Sequence, residues 1–384
     1  MDEEGFNALG SLLIANNEVI DLVMQNCQLT KEKLDALGSH SGLKICTLDI
    51  RSITGMTFDL FLAISKFATE SEVKELLMDP WKWFSPTTDQ IMELSKWKVC
   101  GKLDVLKVSN NKDLGTAGFG KVGTVVSKCQ VKELKSQNCN LTAEGIKAFK
   151  ENTRNAKLNI LDISLNKNLG TAGFGEVGLV VSNCEVKKLQ AQDCNLTAKA
   201  IRAFKENSRN AKLEILDISY NKILGTSGFG EVGLIVSKCQ VKEFRAWDCN
   251  LTAEGMKAFK ENTNNAKLDI LDVSWNDNLG TSGFGEVGLV VSKCQVRELG
   301  ARDCNLTAEE MKAFKENTRN AKIDILSLSF NKVNKLGDEG LSTISEIVRK
   351  CQVQTLEMKY CNFNSDQLER FKALIDDTGV EFRH

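Results

Sequence analysis

A glycine-rich segment that recurs along the chain is the first candidate for chemistry. The segment Gly173-Phe174-Gly175-Glu176-Val177-Gly178 fits G-x-G-x-x-G, a pattern that cradles phosphate when it follows a strand and opens a helix. Copies of it begin at Gly118, Gly228 and Gly283. Phe174 and Val177 are spaced for the buried face of a helix, so close helix packing is favoured over a nucleotide site.

The 13 cysteines show no short C-x-x-C pair of the kind that binds zinc. Ten of them recur in two series, Cys139, Cys194, Cys249, Cys304 and Cys361 after short apolar stretches, and Cys129, Cys184, Cys239, Cys294 and Cys351 before them. Buried free thiols are the favoured interpretation, and they indicate a reducing compartment.

Acidic and histidine residues give no better case for catalysis. Asp162, Asp217 and Asp272 recur at one interval, as an acidic ladder for a cation or as a solvated face. An intervening strand would separate neighbours by roughly 10 Å, too far for shared metal coordination. His40 and His384 are the only histidines and lie in unrelated contexts. We therefore expect no enzyme activity, no metal and no cofactor.

Charge and hydropathy exclude further classes. Lys and Arg total 50 against 51 Asp and Glu, a balance that argues against a nucleic-acid partner. No apolar run approaches the roughly 18 residues of a membrane span, so we expect no membrane partner. The acidic start, Met1 to Glu4, is unlike a secretory signal and favours a cytoplasmic protein. Asn-Leu-Thr sequons at Asn140, Asn195, Asn250 and Asn305 allow glycosylation, but turn asparagines beside helix-capping threonines are favoured.

The elements that position these residues form an internal repeat. The segment 156–164 returns as 211–219, as 266–274 and, more loosely, as 321–329, an interval of 55 residues. Each block has two halves with apolar residues at positions 1, 4 and 6 and an Asn or Cys at position 9, as in Leu158 to Asn166 and Val186 to Cys194. This frame predicts thirteen strands, beginning at Val19, Ile45, Val73, Leu103, Val131, Leu158, Val186, Leu213, Val241, Leu268, Val296, Ile323 and Val353.

A helix is predicted after each strand. Thr142, Thr197, Thr252 and Thr307 can cap the second-half helices, and Glu310 completes a capping box with Thr307. We assign residues 1–384 to one domain, with irregular N-terminal repeats (1–102), near-identical double repeats (103–322), and C-terminal repeats with a cap (323–384).

The alternating Asn and Cys halves resemble ribonuclease-inhibitor-type leucine-rich-repeat proteins and the leucine-rich domains of NOD-like innate immune receptors. The segment 351–361 matches the second half of that pattern especially well. The resemblance implies an α/β solenoid, or horseshoe, of about thirteen repeats, with parallel strands on the concave face and helices on the convex face. It implies binding rather than catalysis.

The near-identical copies can be compared with one another. The helical segment Ala203 to Asn207 is almost unchanged between copies, whereas outward strand positions differ. Trp, Tyr and Arg, the residue types that dominate interface hot spots, collect at the variable positions of the C-terminal half. We predict that a ligand contacts the concave face there, while packing on neighbouring repeats is the alternative role for some aromatics. The predicted binding residues are Tyr220, Arg245, Trp247, Asp248, Trp275, Arg302, Asp303, Phe330, Lys359 and Tyr360.

Two functions fit this pattern. The first is the sensor domain of an innate immune receptor, with a protein or a microbial product as its ligand. A helix without a preceding strand, Phe6 to Ile14, opens the chain and favours a further domain before it. The second is a stand-alone inhibitor or scaffold, although the predicted face is mixed in charge rather than strongly acidic. A GTPase-activating protein would need an acidic tail and a catalytic loop, which the sequence lacks.

Overall fold

Short parallel strands alternate with helices along the chain, the leucine-rich-repeat solenoid that the repeat pattern predicts. The computed structural model describes residues 1–15, 20–25, 27–40, 42–50, 53, 57–73, 75–77, 88–96, 105–153 and 156–384. Two compact units divide the chain, Met1–Leu161 and Asp162–His384. No helix of the described residues is long and apolar enough to cross a lipid bilayer.

The first unit contains a parallel sheet in the order β1-β2-β3 and a parallel pair, β4 and β5. Its strands are β1 (Ile20–Val23), β2 (Ile45–Asp49), β3 (Glu75–Leu77), β4 (Val105–Lys107) and β5 (Glu133–Lys135), and β6 (Ile160–Asp162) lies at the sequence boundary between the units. Its helices are α1 (Glu3–Ala15), α2 (Lys31–Gly38), α3 (Phe58–Glu70), α4 (Thr88–Lys96), α5 (Gly115–Lys128) and α6 (Ala143–Asn152).

In the second unit, strands β7 to β14 pair in parallel in chain order. The strands are β7 (Lys188–Gln190), β8 (Ile215–Asp217), β9 (Glu243–Arg245), β10 (Ile270–Asp272), β11 (Glu298–Gly300), β12 (Ile325–Ser327), β13 (Thr355–Glu357) and β14 (Glu381–Arg383). The helices are α7 (Gly170–Asn183), α8 (Ala198–Asn207), α9 (Gly225–Cys239), α10 (Ala253–Asn262), α11 (Gly280–Cys294), α12 (Ala308–Asn317), α13 (Val333–Lys350) and α14 (Ser365–Ile375), with a 3-10 turn at Asp376–Thr378.

The predicted strand positions hold, with a consistent offset. Position 1 precedes its strand by two residues in the described repeats from Val73 onwards, as Val186 precedes β7, because this buried residue still belongs to the turn, whereas β2 begins at the predicted Ile45 itself. The predicted starts at Val19 and Leu103 lie outside the described residues. One strand exceeds the prediction: β14 pairs with β13 where we expected only a terminal cap.

The core repeats with the strands. Position 4 is buried in every copy of the second unit, at Leu189, Leu216, Phe244, Leu271, Leu299, Leu326 and Leu356. Burial of one such side chain stabilises the fold by about 1.5–3 kcal/mol. Side chains on either side of position 4 point the other way, because successive residues of a strand alternate between faces.

A buried asparagine at position 9 holds each first-half turn of the second unit in place. The Nδ2 group of Asn221 donates to Ala191 O at 2.9 Å and to Ile218 O at 2.7 Å. Its Oδ1 atom accepts from the backbone N–H groups of Cys194 and Leu196, both at 3.0 Å. One side chain thus supplies both donors and acceptors to buried backbone groups of two repeats. Asn276 and Asn331 form the same set of contacts.

The predicted helix caps are confirmed. Thr197 Oγ1 accepts from Ala200 N at 3.2 Å, and Thr142 and Thr252 cap their helices in the same way. Thr307 and Glu310 form the predicted capping box of α12. The threonines of the Asn-Leu-Thr segments therefore have a structural role as N-caps.

The glycine motif lies inside the helices, as the packing interpretation predicts. Residues 173–178 fall within α7 rather than in a turn after a strand. A Cβ atom on Gly178 would lie 2.6 Å from Phe204 O, and one on Gly233 would lie 2.5 Å from Phe259 O. The last glycine of the motif therefore allows the next helix to approach.

The cysteines are mostly free and buried, as predicted. Cys194 Sγ donates to Ile163 O at 3.3 Å, and burial raises the pKa of this thiol to about 12. The same cause raises the pKa of Cys249 and of Cys304 to about 12. These thiols are therefore poor nucleophiles. Cys129 corrects the prediction, since it is part of a disulfide.

Two alanine substitutions in α9 test the role of the glycines. Gly233→Ala would press a methyl group against a backbone oxygen, so we expect it to lower the free energy of unfolding by about 1–3 kcal/mol. Gly230→Ala meets its nearest atom at 3.4 Å and should be neutral or stabilising, because Ala favours the helix. Urea midpoints of the two variants measure the difference, and equal midpoints would contradict it.

A substitution at position 9 tests the asparagine contacts. Asn221→Ala leaves two buried N–H groups and two buried carbonyls without their partner, and we expect a loss of at least about 3 kcal/mol in unfolding free energy. Asn210→Ala, at an exposed turn residue, should change stability by less than about 0.5 kcal/mol. Denaturant titrations of both variants provide the measurement. A loss at position 221 no larger than that of the control would show that the contacts do not hold the turn.

Candidate functional site

The residue before each position-9 asparagine is forced outward. Tyr220, Trp275 and Phe330 have backbone φ angles of 63°, 63° and 65°, in the left-handed region that bulky residues rarely adopt. Asp and Asn tolerate this conformation better, and they occupy position 8 in most second halves, as Asp248 does (φ 46°). Aromatic residues at position 8 are therefore placed there at a conformational cost, which is typical of functional sites.

Three aromatic residues at position 8, Trp275, Phe330 and Tyr360, form a row in which the ring of Phe330 contacts the other two. We call this row the aromatic ladder. The centroids of Trp275 and Phe330 are 6.1 Å apart, and Phe330 stacks on Tyr360 at 4.8 Å. The rings nevertheless remain 47%, 41% and 71% exposed. Packing between repeats and exposure to solvent thus coexist at these residues. Tyr220 is 45% exposed and makes no ring contact with the described residues.

Trp247 has a different environment from the ladder. It lies at position 7 after β9 and is half-buried, and its indole N–H is buried without an acceptor. Arg245, two residues earlier, pairs with Glu243 at 3.1 Å. Arg302, which lies at position 7 after β11 as Trp247 does after β9, donates from Nε to Ser327 Oγ at 2.9 Å. These three predicted residues lie on one surface, the outward strand positions 3, 5 and 7, which we call the strand face.

The two predicted aspartates at position 8 differ in their partners. Asp248 pairs with Lys222 at 2.8 Å, as Asp193 pairs with Lys167 at 3.0 Å. In the following 55-residue block, Asp277 occupies the position of Lys167 and Lys222, so Asp303 has an acidic residue where Asp193 and Asp248 have a lysine. Burial raises the pKa of Asp303, and the charge of Asp277 raises it further.

The aspartates at position 5 correct an expectation. Asp162, Asp217 and Asp272 are almost completely buried rather than on a solvated face. Asp217 Oδ1 accepts from Ser219 N and Ser219 Oγ, and Gln192 Nε2 donates to Oδ2 at 2.6 Å. These carboxylates order the strand ends.

A polar network beside the ladder was not predicted. Arg302 donates to Ser327, Ser327 Oγ donates to Glu357 Oε2 at 2.9 Å, and Arg383 pairs with Glu357 at 3.2 Å. These residues share position 5, apart from Arg302, and register places Ser327 beside Glu357 and Glu357 beside Arg383. Lys359, the last of the predicted residues, is exposed on the same side. Reading position 5 across successive strands would have identified the network.

Comparisons with known proteins agree with this architecture. The family model of the leucine-rich repeat matches residues 209–228, a segment that includes β8 and Asn221. The chain is similar to the ribonuclease inhibitor of Mus musculus, with 30% identity over 276 residues, which are 68% of this chain and 59% of that protein. It is also similar to the ribonuclease inhibitor of Sus scrofa, with 30% identity over 266 residues, which are 66% of this chain and 57% of that protein.

A more distant similarity links the chain to a receptor. The NACHT, LRR and PYD domains-containing protein 4E of Mus musculus is 24% identical over 268 residues, which are 67% of this chain and 26% of that protein. The chain therefore spans less than two thirds of each of these relatives. With its buried asparagine turns, its parallel strands and its relatives together, the chain is a leucine-rich-repeat protein of the ribonuclease-inhibitor type.

Proposed function

We propose that the chain recognises a protein partner through the strand face and the aromatic ladder of its second unit. The observation that carries this proposal is a row of aromatic residues held exposed in left-handed backbone positions. Exposed apolar patches of this kind mark interaction sites on soluble proteins, and Trp and Tyr are enriched among interface hot spots. Arg302 and Lys359 supply polar contacts at the edge of the patch.

The acidic pair beside the ladder supports the same proposal. Asp277 stands where two neighbouring copies have a lysine, so Asp303 lacks the ion pair of Asp193 and Asp248. The raised pKa of Asp303 means that ionisation of its carboxyl opposes folding. Retention of such a pair beside exposed aromatics fits a site where stability is reduced for binding.

For the wider role we favour the sensor segment of an innate immune receptor, located in the cytoplasm. The similarity to a NACHT, LRR and PYD protein supports the receptor role. Among the described residues eleven cysteines are free, against Cys129 in a disulfide, and this balance supports a reducing compartment. In this role the chain binds and has no catalytic activity of its own, and a microbial product is a further candidate ligand.

A stand-alone inhibitor or scaffold is the second candidate. The higher identity to ribonuclease inhibitors favours it. A pancreatic-type ribonuclease assay separates the two roles. Stoichiometric inhibition by the purified chain would support the inhibitor, whereas full ribonuclease activity at a tenfold excess of the chain would support the sensor.

Substitutions in the ladder test the binding proposal. The partner is first identified by crosslinking and then purified. We expect the double substitution Trp275→Ala and Tyr360→Ala to weaken its binding by about 100-fold, because two hot-spot side chains are lost. Leu165→Ala is the matched control, since Leu165 has the same backbone conformation (φ 63°) and is 47% exposed. Titration calorimetry gives both dissociation constants. Unchanged affinity in a folded double variant would refute the proposed site.

A charge substitution tests the trade-off between stability and binding. Asp277→Lys restores the ion pair found in two neighbouring copies, so we expect a gain of about 0.5 kcal/mol in unfolding free energy at pH 7. The gain should shrink as the pH falls below about 4, because Asp303 is then protonated in both states. The same substitution should weaken partner binding.

The reverse substitution in the preceding copy is the control. Lys222→Asp removes the ion pair of Asp248 and should lower the urea midpoint at pH 7. Urea titrations at pH 7 and at about pH 3 measure both effects. A gain for Asp277→Lys that is equal at the two pH values would rule out the acidic pair as its cause.

A further inference from the structure

Two equivalent aspartates of the strand face have different hydrogen-bond partners. Asp217 accepts from Ser219 through Oδ1 and from Gln192 through Oδ2. Asp272 accepts from Ser274 N at 3.1 Å and from Ser274 Oγ at 2.5 Å, both through Oδ1. Among the described residues, no group donates to Asp272 Oδ2. Asp272 is 7% exposed, so one oxygen of a nearly buried carboxylate lacks a donor.

The missing donor follows from one substitution between the copies. Trp247 occupies the position of Gln192, and Ala246, the residue before it, donates its backbone N–H to Asp272 O at 2.9 Å. The indole N–H of Trp247 is buried and finds no acceptor, so it does not replace the glutamine amide. Asp272 Oδ2 is therefore left to accept a hydrogen bond from a group outside the chain.

A second substitution makes room for this carboxylate. Gly300 faces Asp272 in the register of β10 and β11, where other second halves have Lys135, Gln190, Arg245 or Glu357. A Cβ atom at residue 300 would lie 2.4 Å from Asp272 Cγ and 2.5 Å from both carboxylate oxygens. The carboxylate therefore occupies space that any other residue would fill, and it points over β11.

The nearest cations of the strand face are engaged elsewhere. Arg245 neighbours Asp272 across β9 and β10, but it pairs with Glu243. Arg302 donates to Ser327 on the far side of β11. Glu298, two residues before Gly300 on the same strand face, has no ion pair with the described residues and adds a second uncompensated carboxylate.

We infer that Asp272 is a subsite for a cationic side chain, Arg or Lys, of the protein partner. The guanidinium or ammonium group docks over Gly300 and donates to Asp272 Oδ2, in place of the donor that Gln192 gives to Asp217. Glu298 adds attraction for the same charge. This inference rests on the proposed function, since it describes how the strand face selects its partner.

A small probe tests the subsite without the partner. We would titrate N-acetyl-arginine methylamide into the full chain labelled with ¹⁵N and follow the backbone amides of Ser274 and Gly300. A saturable shift of these amides is expected. N-acetyl-glutamine methylamide, which lacks the charge, should bind at least about tenfold more weakly, because a charge-assisted hydrogen bond is lost. Equal binding of the two probes, or tighter binding of N-acetyl-glutamate methylamide, would overturn the inference.

Three variants locate the effect. Asp272→Asn and Trp247→Gln should each weaken the arginine probe at least about tenfold, the first by removing the charge and the second by supplying an internal donor. Asp217→Asn is the matched control and should leave the affinity of the probe unchanged. An unchanged affinity in Asp272→Asn would refute the subsite. If the probe fails while the ladder variant still loses the partner, only the subsite is wrong and the proposed function stands.

Discussion

The buried asparagine at position 9 is the contact on which the rest of the second unit depends. Its side chain satisfies donors and acceptors of two adjacent repeats, as Asn221 does, so each turn takes one fixed path. That path requires a left-handed residue immediately before it, at Tyr220 and its equivalents. A contact that stabilises the scaffold therefore also determines which side chains are exposed, and aromatic residues can occupy this one position without any change of fold.

Ion pairs between repeats explain why the helical segments are nearly identical from copy to copy. Lys205 pairs with Glu231 at 2.5 Å and Lys260 with Glu286 at 2.6 Å, so half-buried helix positions form ion pairs between repeats. Their near-identity across copies reflects these contacts and the close approach at Gly178. Constancy of the helices is therefore not a neutral background for the variable strand face, and the case for binding rests on the exposure and conformation of the aromatic residues themselves.

Much of the fold can be predicted from the sequence, because the pattern of each strand and helix occurs several times along the chain. Strand order, helix caps and the packing role of the glycines depend on local spacing, which the copies display directly. The state of individual side chains does not. The burial of Asp217, the half-buried indole of Trp247 and the network through Ser327 depend on which residues face each other across adjacent strands. Such facing residues are 27 to 30 positions apart in the chain, and their relation appears only when the strands are set in register.

Differences between the copies are also linked to one another. A tryptophan at residue 247 removes a donor from Asp272, and a glycine at residue 300 gives that carboxylate its space. Each change needs the other. With Trp247 but a side chain at residue 300, the carboxylate of Asp272 would be displaced. With Gly300 but a glutamine at residue 247, that carboxylate would already have its donor. The copies therefore differ here by a linked set of neighbouring positions, residues 247, 272 and 300, in the repeats of β9, β10 and β11. In the site that we propose, specificity would come from such a set, whose members depart from the consensus together while the asparagine turns beneath it stay the same.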